Sequence, residues 1–294
     1  MKVALFGGSG FLGREFYLQS KKNGIECYSI SRGDVNSDFN VDISNFIDFE
    51  RLPYNFFDTV INCATTLPGG NYLDNQYLEK IYKTNILGTQ NICKWISEQS
   101  SIKKIINCST LVVVGKPWTI DITEDEPTYP TGNHVLYCSS KLTQELIFKT
   151  LATFKNITLT QIRFSSLYGV TMNWGGLICS LIDQSRNYKK INLTNASKVS
   201  VDFLHVKDAS KIVLAAIQND VNGILNAASG NEITVMELAE LIKIFFGEYI
   251  EIHNTESEEF IQDRSVVSVE KLKKIIDVSG FVDLKAGIKE MISL

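Results

Sequence analysis

Tyr137 and Lys141 stand four residues apart, in a stretch whose apolar spacing over 136–154 predicts a helix. One turn of that helix places the two side chains on the same face. A tyrosine alone is a poor proton shuttle at neutral pH, because its phenol has a pKa of about 10, whereas a nearby lysine cation stabilises the phenolate and lowers that pKa. The two residues are therefore a candidate acid/base pair.

Thr110 lies 27 residues before Tyr137, directly after an apolar, strand-like run. Its hydroxyl could hydrogen-bond the substrate oxygen that the tyrosine protonates. The spacing alone does not single out Tyr137, because Tyr17 and Lys21 repeat it. Tyr17, however, follows a glycine-rich loop rather than a strand end, and ligands of parallel sheets bind beyond the carboxyl ends of the strands. The sequence assigns Thr110, Tyr137 and Lys141 as catalytic and gives Tyr17 a packing or solvent-facing role.

The glycine-rich loop comes at the start of the chain, where the apolar run 2–6 passes into Gly7, Gly10 and Gly13 and then into a helical pattern. Such a loop needs a tight turn, a close approach of a pyrophosphate to the backbone and close packing of helix on strand. Free N–H groups at the helix start would bind the phosphates. The candidate cofactor-binding residues here are Gly7, Ser9, Gly10, Phe11, Leu12 and Gly13.

Strand-like and helical segments alternate along the chain, which is typical of an α/β protein with a doubly wound, parallel, Rossmann-type sheet. The predicted strands are 2–6, 25–30, 58–63, 104–108, 158–164 and 223–227, and the predicted helices are 75–99, 136–154, 234–247 and 283–293. We expect a Rossmann domain over 1–168 and a smaller C-terminal α/β substrate lobe over 169–294, with 201–227 returning to the first domain.

Composition excludes several classes of function. A net charge of −4 without a sustained basic patch argues against nucleic acid as a partner. No apolar run approaches the 18 to 20 residues of a membrane span, so we expect a cytoplasmic protein. The cysteines show no metal-ligand spacing, and we expect reduced thiols and no structural metal. They are Cys27, Cys63, Cys93, Cys108, Cys138 and Cys179.

Several motifs in order along the chain resemble the extended short-chain dehydrogenases/reductases that modify nucleotide-activated sugars. The motifs are Gly7-x-x-Gly10-x-x-Gly13, Asp42-Ile43, Asn62-Cys63-Ala64, Asn85-x-x-Gly88-Thr89, Ser109-Thr110, Tyr137-x-x-x-Lys141, Arg163, Tyr168-Gly169 and Asp202-Phe203-Leu204-His205-Val206. The resemblance covers nearly the whole chain.

Further cofactor-site residues follow from this resemblance. It implies that Asp42 and Ile43 contact the adenine and that Cys63, Ala64 and Thr65 line the cofactor. It also implies a second role for two catalytic residues, since Tyr137 borders the cofactor and Lys141 holds the nicotinamide ribose. Asn85 is expected to support the same site.

The end of the second predicted strand bears on the choice of cofactor. An acidic residue there would bind the ribose 2′-hydroxyl of NAD, but this chain has Ser31 and Arg32. Both could bind a 2′-phosphate, so the sequence favours NADP(H), with NAD(H) as the alternative if Asp34 reaches the ribose instead.

Departures from the family pattern narrow the reaction. Dehydratases that resemble this chain carry an acidic pair after the active-site threonine, whereas Leu111 and Val112 stand here, which makes dehydration improbable. Val114 replaces a frequent tyrosine, and Val201 replaces an arginine that binds the nucleotide diphosphate. The replacement cations and the polar residue proposed for the substrate are Arg264, Lys198 and Asn173, with Arg186 and Lys189 as weaker candidates.

These observations favour an enzyme that reduces carbon 4 of a nucleotide-linked 4-keto (6-deoxy) sugar with NADPH, Tyr137 donating the proton. The first alternative is a nucleotide-sugar 4-epimerase with tightly bound NAD. Reduction of a smaller ketone and a non-catalytic, cofactor-sensing protein also stay open. The helices at 75–99 and 136–154 resemble the pair that builds dimers in this family, and we expect a homodimer.

Overall fold

The fold is described from a computed structural model of the chain, for residues 1–68, 74–116, 118, 120–132, 134–172 and 175–293. Asn173, one of the predicted substrate residues, lies outside the described residues. In the described part the strands are β1 (Lys2–Phe6), β2 (Glu26–Ser31), β3 (Phe39–Asn40), β4 (Thr59–Asn62), β5 (Lys104–Thr110), β6 (Thr158–Phe164), β7 (Ser166–Tyr168), β8 (Lys190–Thr194), β9 (Ser200–His205), β10 (Gly223–Ala227), β11 (Glu232–Thr234) and β12 (Glu251–Thr255).

Eight α-helices occur in the described residues. They are α1 (Phe11–Lys22), α2 (Asn75–Ile81), α3 (Gly88–Ser97), α4 (Val135–Lys155), α5 (Leu177–Tyr188), α6 (Val206–Gln218), α7 (Val235–Phe246) and α8 (Leu284–Ile292). Short 3₁₀ segments occur at Phe46–Arg51, Leu111–Val113 and Leu272–Lys274.

A seven-stranded sheet, counted over the described residues, has the order β10-β6-β5-β4-β1-β2-β3. From β3 across to β6 the neighbouring strands pair in parallel. This is the doubly wound order, in which the chain turns back at β1 and ligands bind beyond the strand ends at that switch point. The predicted Rossmann-type α/β sheet is confirmed.

The strands of the sheet are largely buried, among them β1, β5 and β6. Every residue of Val3–Phe6 is buried, as parallel strands covered by helices require. On one face Phe6 packs edge-on against Trp95, with ring centroids 5.7 Å apart, and Phe148 of α4 joins the same cluster. This packing fixes α3 and α4 against the sheet, and α4 carries Tyr137 and Lys141.

The long helix predicted over 75–99 is interrupted. A π-helical segment, Tyr82–Leu87, separates α2 from α3. Asn85 within it is fully buried and uses its side-chain amide for contacts outside the helix. Single π turns often occur at functional sites, because the extra residue redirects a side chain. Apolar spacing did not reveal this interruption.

The chain folds into two compact units. The first comprises Met1–Lys116, Pro127–Phe164 and Ser210–Leu225, and the second comprises Pro117–Glu126, Ser165–Ala209 and Asn226–Leu294. Within the second unit β9 pairs with β7 in parallel and with β11 antiparallel, while β8 pairs with β12. Its core includes Tyr168, Ile182 and Leu238.

Candidate active site

The glycine loop leaves no room for side chains. Gly7 has a φ of +78°, and a Cβ built on it would lie 2.6 Å from the backbone nitrogen of Ala64. A Cβ on Gly13 would collide with the carbonyl oxygen of Gly7. The first glycine therefore permits a left-handed turn beside β4, and the third permits α1 to pack on the loop.

The start of α1 fits a phosphate group. Its N-cap residue, Gly10, makes no side-chain cap hydrogen bond, and the first turn carries no acidic residue. The helix opens with Phe11 and Leu12, and Leu12 is buried. Backbone N–H groups at an uncapped helix start are donors for an anion, and the glycine loop allows close approach. The residues present thus fit the pyrophosphate of a dinucleotide.

Ser31 is the last residue of β2, and Arg32 directly follows it. The Ser31 hydroxyl accepts a hydrogen bond of 2.9 Å from the Ser9 N–H, so Ser31 lies against the glycine loop. The Arg32 guanidinium lies 3.2 Å from a carboxylate oxygen of Asp42. Burial acts to raise the pKa of Asp42, but hydrogen bonds from Ser44 and Arg32 outweigh it, and the net shift lowers that pKa. Asp34 accepts from the Asn36 N–H in a local turn.

Asn85 connects the loop after β4 to α4. Its side-chain oxygen accepts from the Thr66 N–H at 2.7 Å and from the Thr65 hydroxyl at 3.3 Å. Its side-chain nitrogen donates to the Ser140 hydroxyl at 2.9 Å. The oxygen and the nitrogen of this amide are therefore both hydrogen-bonded to protein groups. Asn85 in this way stabilises the loop that contains Thr65.

Ile43 is held on the other side of the π segment. A Cβ on Gly88 would lie 2.5 Å from the Cδ1 of Ile43. The absence of a side chain at position 88 therefore leaves room for the Ile43 side chain in its observed position. The Ile43 carbonyl accepts a hydrogen bond of 2.8 Å from the Asn91 side chain.

Tyr137 and Lys141 lie one turn apart near the start of α4, and both are buried. The Lys141 ammonium donates a hydrogen bond of 2.8 Å to the Cys108 carbonyl of β5. Thr110, two residues further along β5, caps the 3₁₀ segment that follows, where its hydroxyl oxygen is 3.4 Å from the Val112 N–H. The lysine thus lies at the carboxyl end of the strand that carries Thr110.

Burial lowers the pKa of Lys141 to about 8, from its ordinary value of 10.5. Its ammonium also donates to the side-chain oxygen of Gln144, at 2.5 Å. Gln144 in turn donates to the Thr89 hydroxyl at 2.8 Å, and that hydroxyl donates to the Asn85 carbonyl. Sequence reasoning missed Gln144; its spacing of three residues from Lys141 on a helix was the available signal.

A buried ion pair anchors α4 to the sheet. Glu145 accepts two hydrogen bonds from Arg163 of β6, at 2.9 and 3.1 Å, and one from Ser109 of β5 at 2.5 Å. Both charged residues are at most 5% exposed, so these contacts offset part of the desolvation of each charge, while the Nη1 atom of Arg163 is buried without a hydrogen-bond partner among the described residues. Arg163 was recognised only as part of a motif, and its partner Glu145 was missed.

The two apolar residues that follow Thr110 cannot act as acids or bases. Leu111 is 1% exposed, and Val112 follows it in the 3₁₀ segment. Neither side chain is titratable, so this part of the site lacks the acidic pair that dehydration uses.

Cys63 and Cys108, at the ends of β4 and β5, have sulfur atoms 3.4 Å apart and form no disulfide. Across the described residues, no cluster of three or more His, Cys, Asp or Glu side chains is placed to hold a metal ion.

The Tyr17 and Lys21 pair differs from Tyr137 and Lys141 in geometry. The Tyr17 hydroxyl donates to Asp38 at 2.9 Å. The Lys21 ammonium lies over the Tyr17 ring, 4.2 Å from its centroid. The same four-residue spacing here gives a surface cation–π contact.

Arg264 and Lys198 lie in the second unit and line a cavity of about 280 Å³ together with Glu232, Thr234 and Gln262. Arg264 is not a lone cation, because its guanidinium is paired with Glu232. Burial acts to raise the pKa of Glu232, but hydrogen bonds from Arg264 and Ser200 lower it overall. Lys198 donates to the Ser257 carbonyl at 2.6 Å.

The two weaker cation candidates have structural contacts elsewhere in the second unit. Arg186 donates to the Ile292 carbonyl at 3.1 Å, and the Lys189 ammonium lies 5.5 Å from the centroid of the Tyr249 ring.

A family model described as the NAD dependent epimerase/dehydratase family matches residues 3–228, which include the glycine loop, Thr110, Tyr137 and Lys141. The chain belongs to this family. The resemblance inferred from the motifs is therefore confirmed, and the epimerase/dehydratase family consists of enzymes that use a nicotinamide dinucleotide.

Full-length similarity supports the assignment to the epimerase/dehydratase family. A putative UDP-glucose 4-epimerase of Methanocaldococcus jannaschii is 26% identical over 99% of this chain and 97% of its own. UDP-glucuronic acid decarboxylase 6 of Arabidopsis thaliana is 24% identical over 99% of this chain and 88% of its own. A UDP-glucose 4-epimerase of Thermus thermophilus, solved in complex with NAD, shares the fold with a TM-score of 0.81 and 18% identity, covering 100% and 98% of the two chains.

A membrane span needs a long helix of apolar residues. None of the helices in the described part of the chain combines the length and apolar character that crossing a bilayer requires.

Proposed function

We propose that this member of the epimerase/dehydratase family oxidises and reduces carbon 4 of a nucleotide-activated sugar. The observation that carries the proposal is the position of Lys141, one turn from Tyr137 and hydrogen-bonded to the β5 carbonyl two residues before Thr110. The same sheet edge carries the glycine loop, so acid/base groups and dinucleotide cradle belong to one compact unit.

The chain's own residues divide the chemistry. Tyr137 exchanges a proton with the carbon-4 oxygen, acting as acid in one direction and base in the other. The Lys141 cation is placed to stabilise the phenolate form of Tyr137. The Thr110 hydroxyl donates a hydrogen bond to the same oxygen and orients the carbonyl. When bound, the nicotinamide cofactor supplies reversible hydride transfer.

Epimerisation is the outcome that the relative from Methanocaldococcus jannaschii favours, since it is named as a putative 4-epimerase, whereas the full-length relative from Arabidopsis thaliana is named as a decarboxylase. An epimerase oxidises carbon 4, allows the bound keto sugar to rotate and then reduces carbon 4 from the opposite face. The sequence alone favours simple reduction, which is the second candidate.

The end of β2 is the specific observation that favours reduction. Ser31 and Arg32 stand where an acidic residue would bind the ribose of NAD, and both can bind a 2′-phosphate. Arg32 also has a competing partner, because it is paired with Asp42. For Arg32 to bind the 2′-phosphate of NADP(H), its ion pair with Asp42 must open, or the guanidinium must bind the carboxylate and the phosphate together.

Substrate binding is proposed to use Arg264 and Lys198 for a diphosphate. Arg264 can do so only if its pairing with Glu232 leaves part of the guanidinium available, and the Arg264 side chain is 39% exposed. Val201 supplies no charge, whereas Arg264 and Lys198 line the same cavity in the second unit. Asn173, the homodimer and a cytoplasmic location remain predictions.

The decisive experiment combines cofactor analysis with a substrate screen. Mass spectrometry of the denatured protein identifies any cofactor that copurifies, and titration compares NADPH with NADH. Stoichiometric NAD(H), with interconversion of UDP-glucose and UDP-galactose or of their N-acetylated analogues, supports epimerisation. An empty protein that prefers NADPH and reduces a nucleotide 4-keto sugar supports reduction. Turnover of a small ketone without any nucleotide would overturn the assignment, and loss of a carboxylate from UDP-glucuronic acid would replace both epimerisation and simple reduction, because that loss also needs a ketone at carbon 4.

A further inference from the structure

Two thiols meet at the sheet edge that carries the candidate active site. Cys63 directly follows β4, and Cys108 lies in β5, with the two sulfur atoms 3.4 Å apart. The preceding residues, Asn62 and Asn107, are register partners across these parallel strands. The two cysteines are therefore lateral neighbours rather than residues brought together by a mobile loop.

This arrangement satisfies the backbone requirement of a disulfide. Neighbouring strands lie about 4.8 Å apart, which falls within the range of Cα separations, roughly 4.4 to 6.8 Å, that a disulfide spans. The sulfur atoms must approach from 3.4 Å to roughly 2.0 Å for the bond to form. Cys63 is only partly buried, whereas Cys108 is 8% exposed, so Cys63 is the more accessible of the two to a small oxidant. The hydrogen bond to Cys108 and burial raise the pKa of the Cys63 thiol, so the thiolate that attacks an oxidant forms more readily at alkaline pH.

Both cysteines touch parts of the site that have little freedom to move. A Cβ on Gly7 would lie 2.8 Å from the carbonyl carbon of Cys63, so the glycine loop packs directly on this peptide. The Cys108 carbonyl accepts the hydrogen bond from the Lys141 ammonium at 2.8 Å. A change in the distance between the two cysteines is therefore passed to the dinucleotide cradle, to the lysine, or to both.

We propose that Cys63 and Cys108 are a modification site, at which a peroxide joins them in an intramolecular disulfide that weakens cofactor binding. Cys63 attacks the peroxide and becomes a sulfenic acid with release of one water or alcohol. Cys108 then attacks the Cys63 sulfur and expels a second water. The two thiols lose two protons and two electrons, and the peroxide takes them up. The effect on the cofactor rests on the proposed function, whereas the disulfide itself does not.

Peptide mapping tests the covalent step on the full-length protein. The reduced protein is treated with hydrogen peroxide, free thiols are blocked with N-ethylmaleimide, and the digest is analysed without reductant. We expect a cross-linked peptide pair containing Cys63 and Cys108, with an intact mass lower by two hydrogens. Cys63→Ser and Cys108→Ser should each abolish that pair, and Cys93→Ser, a buried cysteine elsewhere in the same unit, should leave it. Sulfinic acid at Cys63, or a cross-link through any other cysteine, would overturn the proposal.

Cofactor titration tests the consequence. NADH and NADPH fluorescence should show affinity at least tenfold weaker for the cross-linked protein than for the reduced protein, and dithiothreitol should restore it. Equal affinity of the two forms would refute the coupling even if the cross-link forms. A reduced protein that binds neither cofactor would refute the coupling and the proposed function together, while the mapping result would stand separately.

Discussion

The Lys141 ammonium and the Gln144 side-chain oxygen lie 2.5 Å apart in the interior of the protein, with both side chains at most 2% exposed. The Thr89 hydroxyl donates to a carbonyl and so accepts from the Gln144 nitrogen, which turns the Gln144 oxygen towards Lys141. The charged ammonium of Lys141 is thus in direct contact with two neutral acceptors, the Gln144 side-chain oxygen and the Cys108 carbonyl. Gln144 is in this sense a positioning residue.

Replacing Gln144 by Leu should move the alkaline limb of kcat/KM to lower pH. Lys141 loses its proton as the pH rises through its pKa of about 8, and loss of a hydrogen bond to the charged form lowers that pKa further. We expect a shift of about one pH unit. Gln144→Glu should shift the limb the other way, because a carboxylate stabilises the ammonium. Thr150→Ala, at an exposed position of the same helix, is the control. Identical pH profiles for all four proteins would show that Gln144 does not act on Lys141.

Replacing Arg32 by Ala tests the contact with a 2′-phosphate. If Arg32 binds that group, NADPH affinity should fall about tenfold or more while NADH affinity changes little, because a charge-assisted hydrogen bond contributes about 1.5 to 3 kcal/mol. Arg51→Ala is a matched control, since Arg51 is also exposed and also lies near an aspartate, Asp48, at 3.4 Å. Equal losses for the two cofactors would argue that Arg32 only neutralises Asp42.

Gly13→Ala tests the packing of α1 on the loop. The added methyl group would meet the Gly7 carbonyl oxygen, so loop and helix must separate. We expect cofactor affinity to fall at least tenfold in a titration, together with a lower melting temperature. Gly280→Ala is the control, because a Cβ there meets no atom within 4 Å. Normal cofactor affinity in Gly13→Ala would mean that the loop tolerates the side chain and that its packing does not define the cradle.

The sequence predicted the sheet and the helix that carries both Tyr137 and Lys141, because both depend on local patterns. The strands β1, β2, β4, β5, β6 and β10 were anticipated within about three residues, since buried parallel strands are continuous apolar runs. Tyr137 and Lys141 were recognisable because four residues make one helical turn. Tyr17 and Lys21 have the same spacing, so spacing alone did not distinguish the two pairs. The neighbouring sequence did, because Tyr17 follows the glycine loop and Tyr137 follows the strand that ends at Thr110.

Other features depend on contacts between segments distant in sequence. The short strands of the second unit, such as β8 and β12, were not predicted, and no local pattern predicts the pairing of Lys190 with Glu251 across 60 residues of sequence. Glu145 and Gln144 read as ordinary polar residues of a helix until their partners Arg163 and Thr89 are known. Arg264 was recognised as a cation, but its partner Glu232 lies 32 residues away.

Replacing Tyr137 by Phe tests its role as proton donor, with Tyr17→Phe as the control that has the same spacing to a lysine. We expect Tyr137→Phe to lower kcat by about 10²-fold or more, as loss of a general acid/base does, with cofactor affinity nearly unchanged. Tyr17→Phe should retain normal turnover, because its hydroxyl contacts Asp38 on the surface. Wild-type turnover in Tyr137→Phe, measured on the substrate that the screen identifies, would contradict the assignment of Tyr137 as the proton donor.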